Sequence, residues 1–197
     1  MNSLLRLLAI VCIAGPAISH AQKAEMPAPT TFNVGDTWEW RQFDNRTKKE
    51  EAKRIRTAVK VDGVLLFSDG TNNSQITQAF IGLPASKPWR VWPLEVGKKW
   101  VADRDWIRAD GVSGNTRQDA EVVAYEEVTV PAGRFMAFKI EYRGWYRYSH
   151  AAQGNQNFRQ TDTVWYAPDA YADVKYVFND GYNNYTRELV AFRRAAP

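Results

Sequence analysis

Asp103 and Asp105 are the first residues whose types and spacing could do chemistry. On one strand face they would lie roughly 7 Å apart, inside the range of about 5–9.5 Å that separates the two carboxyls of a glycosidase. Arg104 and Arg108 flank them, so the same stretch also reads as a solvated ion-pair surface. His150 lies in Ser149-His150-Ala151-Ala152-Gln153-Gly154, which reads as a loop. It is the sole histidine beyond residue 21, where the sequence has no cysteine, so neither a Cys–His pair nor a multi-histidine zinc site can be assembled. Asp169 with Asp173 could meet a calcium ion, but no dense acidic loop surrounds them. The inventory assigns no catalytic residue, no metal site and no cofactor.

The aromatic residues are the larger surplus, with eight Trp, nine Tyr and nine Phe. Each can bury roughly 150–250 Å², so most belong to a core. Trp145 departs from that expectation, because strand alternation puts it on a charged face between Arg143 and Arg147. There it either stacks with guanidinium groups or offers a platform to a sugar or acyl chain. Trp89 and Trp92 sit in a proline-interrupted connection with Pro84, Pro88 and Pro93, suited to the lid of a cavity. Trp89, Trp92, Trp145, Arg143 and Arg147 are the candidate ligand-binding residues.

Residues 1–21 read as a signal peptide. Arg6 supplies the charge, 7–18 an apolar run, and Ser19-His20-Ala21 a small-residue cleavage site. The run is about 12 residues, short of the roughly 20 needed to span a bilayer. Val11 precedes Cys12 where a lipoprotein has a small residue, which argues against a lipid anchor. Residues 22–31 read as a flexible lead-in, and 32–197 as one domain without disulfides. The net charge of +4 over the whole sequence is a mild bias, compatible with an anionic envelope surface and weak grounds for nucleic-acid binding.

The pattern along this domain is that of strands. Trp38 and Trp40 share a face; Ile55, Thr57, Val59 and Val61 share another, with Arg54, Arg56 and Lys60 opposite on an expected wet side. Val64 to Phe67 reads as a strand buried on both faces. Trp100 and Trp106 share a parity with Arg104, predicting a bulge or a partly open surface. Ala120, Val122, Ala124, Val128 and Val130 form an inward set, as do Phe138, Ile140, Tyr142, Tyr146 and Tyr148.

Asp62-Gly63, Asp69-Gly70, Asp110-Gly111 and Asp180-Gly181 punctuate these runs as hairpin turns. Phe32-Asn33-Val34-Gly35-Asp36-Thr37-Trp38 and Leu94-Glu95-Val96-Gly97-Lys98-Lys99-Trp100 share one pattern, a turn at Gly leading to a core Trp. No amphipathic helix is evident. The expectation is an all-β domain of about ten antiparallel strands, mostly joined by hairpins. A sheet that large normally curls, here into a curved half-barrel or barrel.

Three stretches carry a resemblance: Trp92-Pro93-Leu94-Glu95-Val96-Gly97-Lys98-Lys99-Trp100, Val130-Pro131-Ala132-Gly133-Arg134-Phe135, and Trp165-Tyr166-Ala167-Pro168 followed by Val174-Lys175-Tyr176. Together they resemble a family of bacterial cell-envelope or periplasmic domains of unknown function, over roughly residues 92–192. The resemblance implies a curved antiparallel barrel, in some cases likened to periplasmic lipoprotein carriers, and no catalytic residues. Asp169-Ala170-Tyr171-Ala172-Asp173 stands where related sequences tend to carry glycines.

The leading expectation is an exported, periplasmic or secreted, non-enzymatic module that holds an apolar or amphipathic, lipid-like molecule. One alternative is a structural or protein-interaction component of the envelope, docking through Arg54, Arg56 and Lys60. Another is a carbohydrate-active enzyme using Asp103 and Asp105.

Overall fold

In the computed structural model of the protein, the described residues are 25–26, 31–76, 88–108, 110–150 and 154–196. The expected leader, and all of the lead-in except Glu25, Met26 and Thr31, lie outside them. No helix among the described residues is long and apolar enough to cross a membrane.

The strands are β1 (Glu25–Met26), β2 (Thr37–Asp44), β3 (Glu50–Val61), β4 (Val64–Ser68), β5 (Asn73–Gln75) and β6 (Leu94–Glu95). They continue with β7 (Lys99–Ile107), β8 (Ser113–Val130), β9 (Gly133–His150), β10 (Gly154–Ala167), β11 (Ala172–Asn179) and β12 (Asn184–Arg193). Ten form one sheet, in the order β5-β4-β3-β2-β12-β11-β10-β9-β8-β7, and every neighbouring pair is antiparallel. β1 and β6 pair separately. Two meanders, β2 to β5 and β7 to β12, therefore meet along the β12–β2 seam. β5 and β7 remain as edges, so the sheet is curved and not closed into a barrel.

The Asp-Gly pairs make the turns. Asp62 and Gly63 both adopt positive φ (51° and 81°), the two-residue hairpin geometry whose twist matches the flanking strands. At β4–β5 and β11–β12 the aspartate works differently. Asp69 accepts from the backbone N–H of Thr71 and Asn72, and Asp180 from those of Tyr182 and Asn183.

The recurring Val-Gly motif folds the same way twice. Gly35 N–H donates to the Ala58 carbonyl at 2.7 Å and Ala58 N–H returns to the Asp36 carbonyl at 2.8 Å. Gly97 N–H donates to Val122 O at 2.8 Å and Val122 N–H returns to Lys98 O at 3.0 Å. Each motif thus starts a strand and clips it to its neighbour. The buried Asp36 carboxylate also accepts from Ala195 N–H at 2.8 Å and pairs with Arg194 at 3.2 Å, fastening the chain beyond β12 to the first motif.

Buried apolar residues form two clusters, one around Trp38, Trp40, Phe67, Phe135, Val174 and Leu189, the other around Leu94, Val122, Phe138, Ile140, Tyr142 and Tyr166. β9 feeds both. Phe135 and Ala137 enter the first and Phe138, Ile140 and Tyr142 the second, from opposite parities of one strand.

Three expectations are corrected. The polarity of β3 is reversed: Arg54 lies opposite Trp40 and Arg56 opposite Trp38, so the arginines share the tryptophans' inner face. Ala58 on that face is fully buried, whereas Ile55 is 43% exposed. β4 is not buried on both faces; it is next to the short edge strand β5, and Val64 is 56% exposed. Ala124 leaves the inward set because a bulge shifts the register between Val122 and Ala124, pairing Ala124 with Lys139.

Candidate functional site

Curvature brings both edges of the sheet to one concavity of about 1490 Å³, lined from β2 to β5 on one side, from β7 to β12 on the other, and by residues 88–90. Register explains which side chains reach it. One rung of inner positions runs Gln42, Arg187, Tyr176, Val164, Ile140, Val122; the next runs Tyr185, Phe178, Asp162, Tyr142, Ala120, Trp100. Where these rungs meet Trp89, Trp92 and Leu94 they form a core. Where they extend beyond it they form the walls of the concavity.

Residues 88–90 block one end. Trp89 stacks on Tyr142 with ring centroids 3.9 Å apart, and its carbonyl accepts from Tyr142 Oη at 2.9 Å and Trp100 Nε1 at 3.2 Å. Arg90, only 3% exposed, forms an ion pair with Asp173 at 2.7 Å and lies over the Tyr166 ring at 4.9 Å. Burial pushes the phenols of Tyr142 and Tyr166 well above their ordinary range, with Arg90 opposing the shift. Both stay protonated.

Below the concavity lies a buried carboxylate. Asp162 accepts from Tyr176 Oη, from Gln118 Nε2 and, at 2.9 Å, from Gln160 Nε2. Burial raises its pKa, while these three hydrogen bonds and the positive field of Arg104 pull the other way. Gln118 Oε1 is buried with no hydrogen-bond partner. Every donor to Asp162 is a neutral side chain, so its charge is solvated by dipoles and not cancelled.

The walls are aromatic and cationic. Trp106 stacks on Tyr146 at 5.0 Å and Phe178 on Tyr185 at 5.0 Å. Among the described residues, the lining cations are Lys53, Arg54, Arg56, Arg90, Arg104 and Arg187, against Asp69 and Asp173. Arg56 lies over Phe67 at 4.8 Å and Trp40 at 5.4 Å, and Arg187 over Tyr176 at 5.4 Å and Tyr185 at 5.7 Å. Burial lowers the pKa of both guanidiniums and neighbouring arginines add to the effect, while Asp173 opposes it.

The five expected binding residues are not brought together. Trp89 lines the concavity. Trp92 packs edge-on against Tyr166 at 5.2 Å in the second cluster. Arg143 and Trp145 are on the convex face; Arg143 pairs with Glu141, and Trp145, 45% exposed, lies opposite Arg117 and Arg159. Arg147 borders a shallower groove of about 700 Å³ at the far ends of β7 to β10. His150 ends β9, with its backbone paired to Gly154, and is not in a loop.

Asp103 and Asp105 are also on the convex face. Asn115 Nδ2 donates to both at 2.8 Å and Arg117 pairs with Asp103 at 3.0 Å, the arrangement of a surface ion-pair network. Sequence reasoning placed Arg54 and Arg56 on an outer docking face, and did not single out Phe178, Tyr185 or Arg187, which line the concavity with them. The signal for the first two was the alignment of β3 against the Trp38–Trp40 strand, which fixes their side.

No protein-family model matches the chain, and no curated protein matches it either. Among solved structures it is similar to a candidate lipoprotein from Parabacteroides distasonis, with a TM-score of 0.54 at 10% identity, over 86% of this chain and all of that one. A candidate exported protein with YmcC-like fold from Bacteroides fragilis aligns with a TM-score of 0.45 at 12% identity, over 87% of this chain and all of that one. The hypothetical lipoprotein YmcC from Escherichia coli aligns at 0.42 and 8% identity, over 83% of this chain and 85% of that one. The first of these likenesses shows a shared fold.

Proposed function

We propose that the protein is an exported, non-enzymatic binding module whose concave face holds an apolar or amphipathic small molecule. The observation that carries this is the concavity itself, about 1490 Å³, with stacked aromatic pairs on its walls and Trp89 closing one end. Ligand pockets of drug-sized molecules are typically about 300–1,000 Å³, so the space admits a lipid-sized guest. The carboxylates considered for hydrolysis point to the other face and are engaged by Asn115 and Arg117. Arg54 and Arg56 line the interior, which disfavours docking of an envelope protein through them. A periplasmic or secreted location agrees with the signal-peptide reading and with structural neighbours described as exported proteins or lipoproteins.

Native mass spectrometry of the protein purified from its own host tests the reading. A co-purified small molecule that is lost on unfolding is expected. A bare chain from the host, together with no uptake from a total lipid extract of that host, would overturn it.

A further inference from the structure

We propose that the guest is an acidic amphiphile, its oxyanion head held by Arg54, Arg56 and Arg187 and its apolar body lying against Tyr185, Tyr146 and Trp106; this rests on the binding reading above. The three arginines reach the concavity from β3 and β12, on either side of β2. Like charges gathered on a partly desolvated wall repel one another, and burial with that repulsion disfavours the charged forms of Arg56 and Arg187, a cost that Asp173 offsets only in part. An oxyanion offsets both costs.

Arg187 is already oriented for such a group. Its Nη2 donates to Gln42 Oε1 at 3.0 Å and its plane is held near the Tyr176 and Tyr185 rings, while its Nε is buried with no hydrogen-bond partner. A fixed guanidinium edge suits carboxylate or phosphate oxygens. The chain's own carboxylates nearby are engaged elsewhere, Asp173 with Arg90 at 2.7 Å and Asp162 with Tyr176, Gln118 and Gln160. A neutral sugar could stack on the rings, but it would bring no negative charge to Arg54 and Arg187.

Calorimetric titration of the purified protein below micelle concentrations tests this, with dodecyl phosphate, dodecanoate, dodecyl maltoside and inorganic phosphate as probes. The expected result is one acidic amphiphile per chain, bound at least about tenfold tighter than dodecyl maltoside and than inorganic phosphate alone. Comparison of dodecyl phosphate with dodecanoate distinguishes a phosphate head from a carboxylate head. Arg187→Gln and Arg54→Gln should each weaken the acidic probe about tenfold or more and leave dodecyl maltoside unchanged.

Equal affinity for charged and neutral amphiphiles would overturn the head-group assignment and leave the binding reading standing. Phosphate binding as tightly as dodecyl phosphate would overturn the amphiphile. No binding of any probe would overturn this proposal, while the host-purified protein tests the broader reading separately. Should the variants fail to fold, salt dependence decides. Affinity of the wild-type protein for dodecyl phosphate is expected to fall between about 0.05 and about 0.5 M sodium chloride, and a flat response would refute the charged wall.

Discussion

The indole of Trp89 and the phenol of Tyr142 lie flat on each other, with planes 2° from parallel, and the Tyr142 hydroxyl is bonded back to the Trp89 carbonyl. Stacking and hydrogen bond can be separated by substitution. Trp89→Ala should destabilise the fold by about 2–4 kcal/mol, through lost burial and a cavity beside Tyr142. Tyr142→Phe should cost only about 1 kcal/mol, because the Trp89 carbonyl keeps its bond from Trp100. Urea unfolding of both variants measures the difference. A costlier Tyr142→Phe would make the hydrogen bond, and not the stack, the anchor of the segment.

Asp162 gives a pH dependence of unusual sign. Its folded pKa is raised above the ordinary 3.8, mainly by burial, so the folded state binds its proton more tightly than the unfolded chain. Ionising it therefore costs stability, and that cost is lifted as pH falls through the folded value toward 3.8. Below 3.8 the relief is complete. Stability of the wild-type protein minus that of Asp162→Asn should rise on acidification through this window. A difference independent of pH would show that the carboxyl titrates normally.

Gly144 should not tolerate a side chain. It sits between Gln118 on β8 and Gln160 on β10, and a Cβ there would lie 2.0 Å from the Arg117 carbonyl oxygen. Backbone must move to admit even a methyl, so Gly144→Ala should cost about 1–3 kcal/mol. Thermal unfolding measures it. A neutral effect would mean that β8 relaxes freely at this point.

On the convex face, Arg143→Gln and Trp145→Ser should each change stability by no more than about 0.5 kcal/mol, since both side chains are exposed. Dodecyl phosphate binding should also be unaffected. Lost binding in either variant would move the site to the outside of the sheet.

Much of the architecture was legible because local chemistry determined it. Asp62-Gly63 could make a tight hairpin from its own φ preferences, and Gly35 and Gly97 marked their turns before any partner strand was known. The misread elements share a different cause. Alternation along β3 separates Ile55 and Val61 from Arg54 and Arg56, but which set faces inward depends on Trp38 and Trp40 across the pairing. The guanidinium of Arg56 laid over two aromatic rings makes a cationic side chain compatible with an inner wall. A bulge such as that after Val122 changes parity midway through a strand, so an alternation carried past it misplaces Ala124. The Trp89 position as a plug needed Tyr142, a residue more than fifty positions away.

The place of β12 in the sheet has a consequence for how the chain assembles. This last strand lies in the middle, bonded to β11 on one side and to β2 on the other, and Arg193 pairs with Thr37 across more than 150 positions. Until Asn184–Arg193 docks, the two meanders have no shared seam, and β2 and β11 each present a bare row of amides and carbonyls. Pairing over such a separation is slow to form, because the chain entropy is lost before the contacts are gained. A protein built this way stays adhesive until β12 arrives, and any helper that accompanies it must hold on that long.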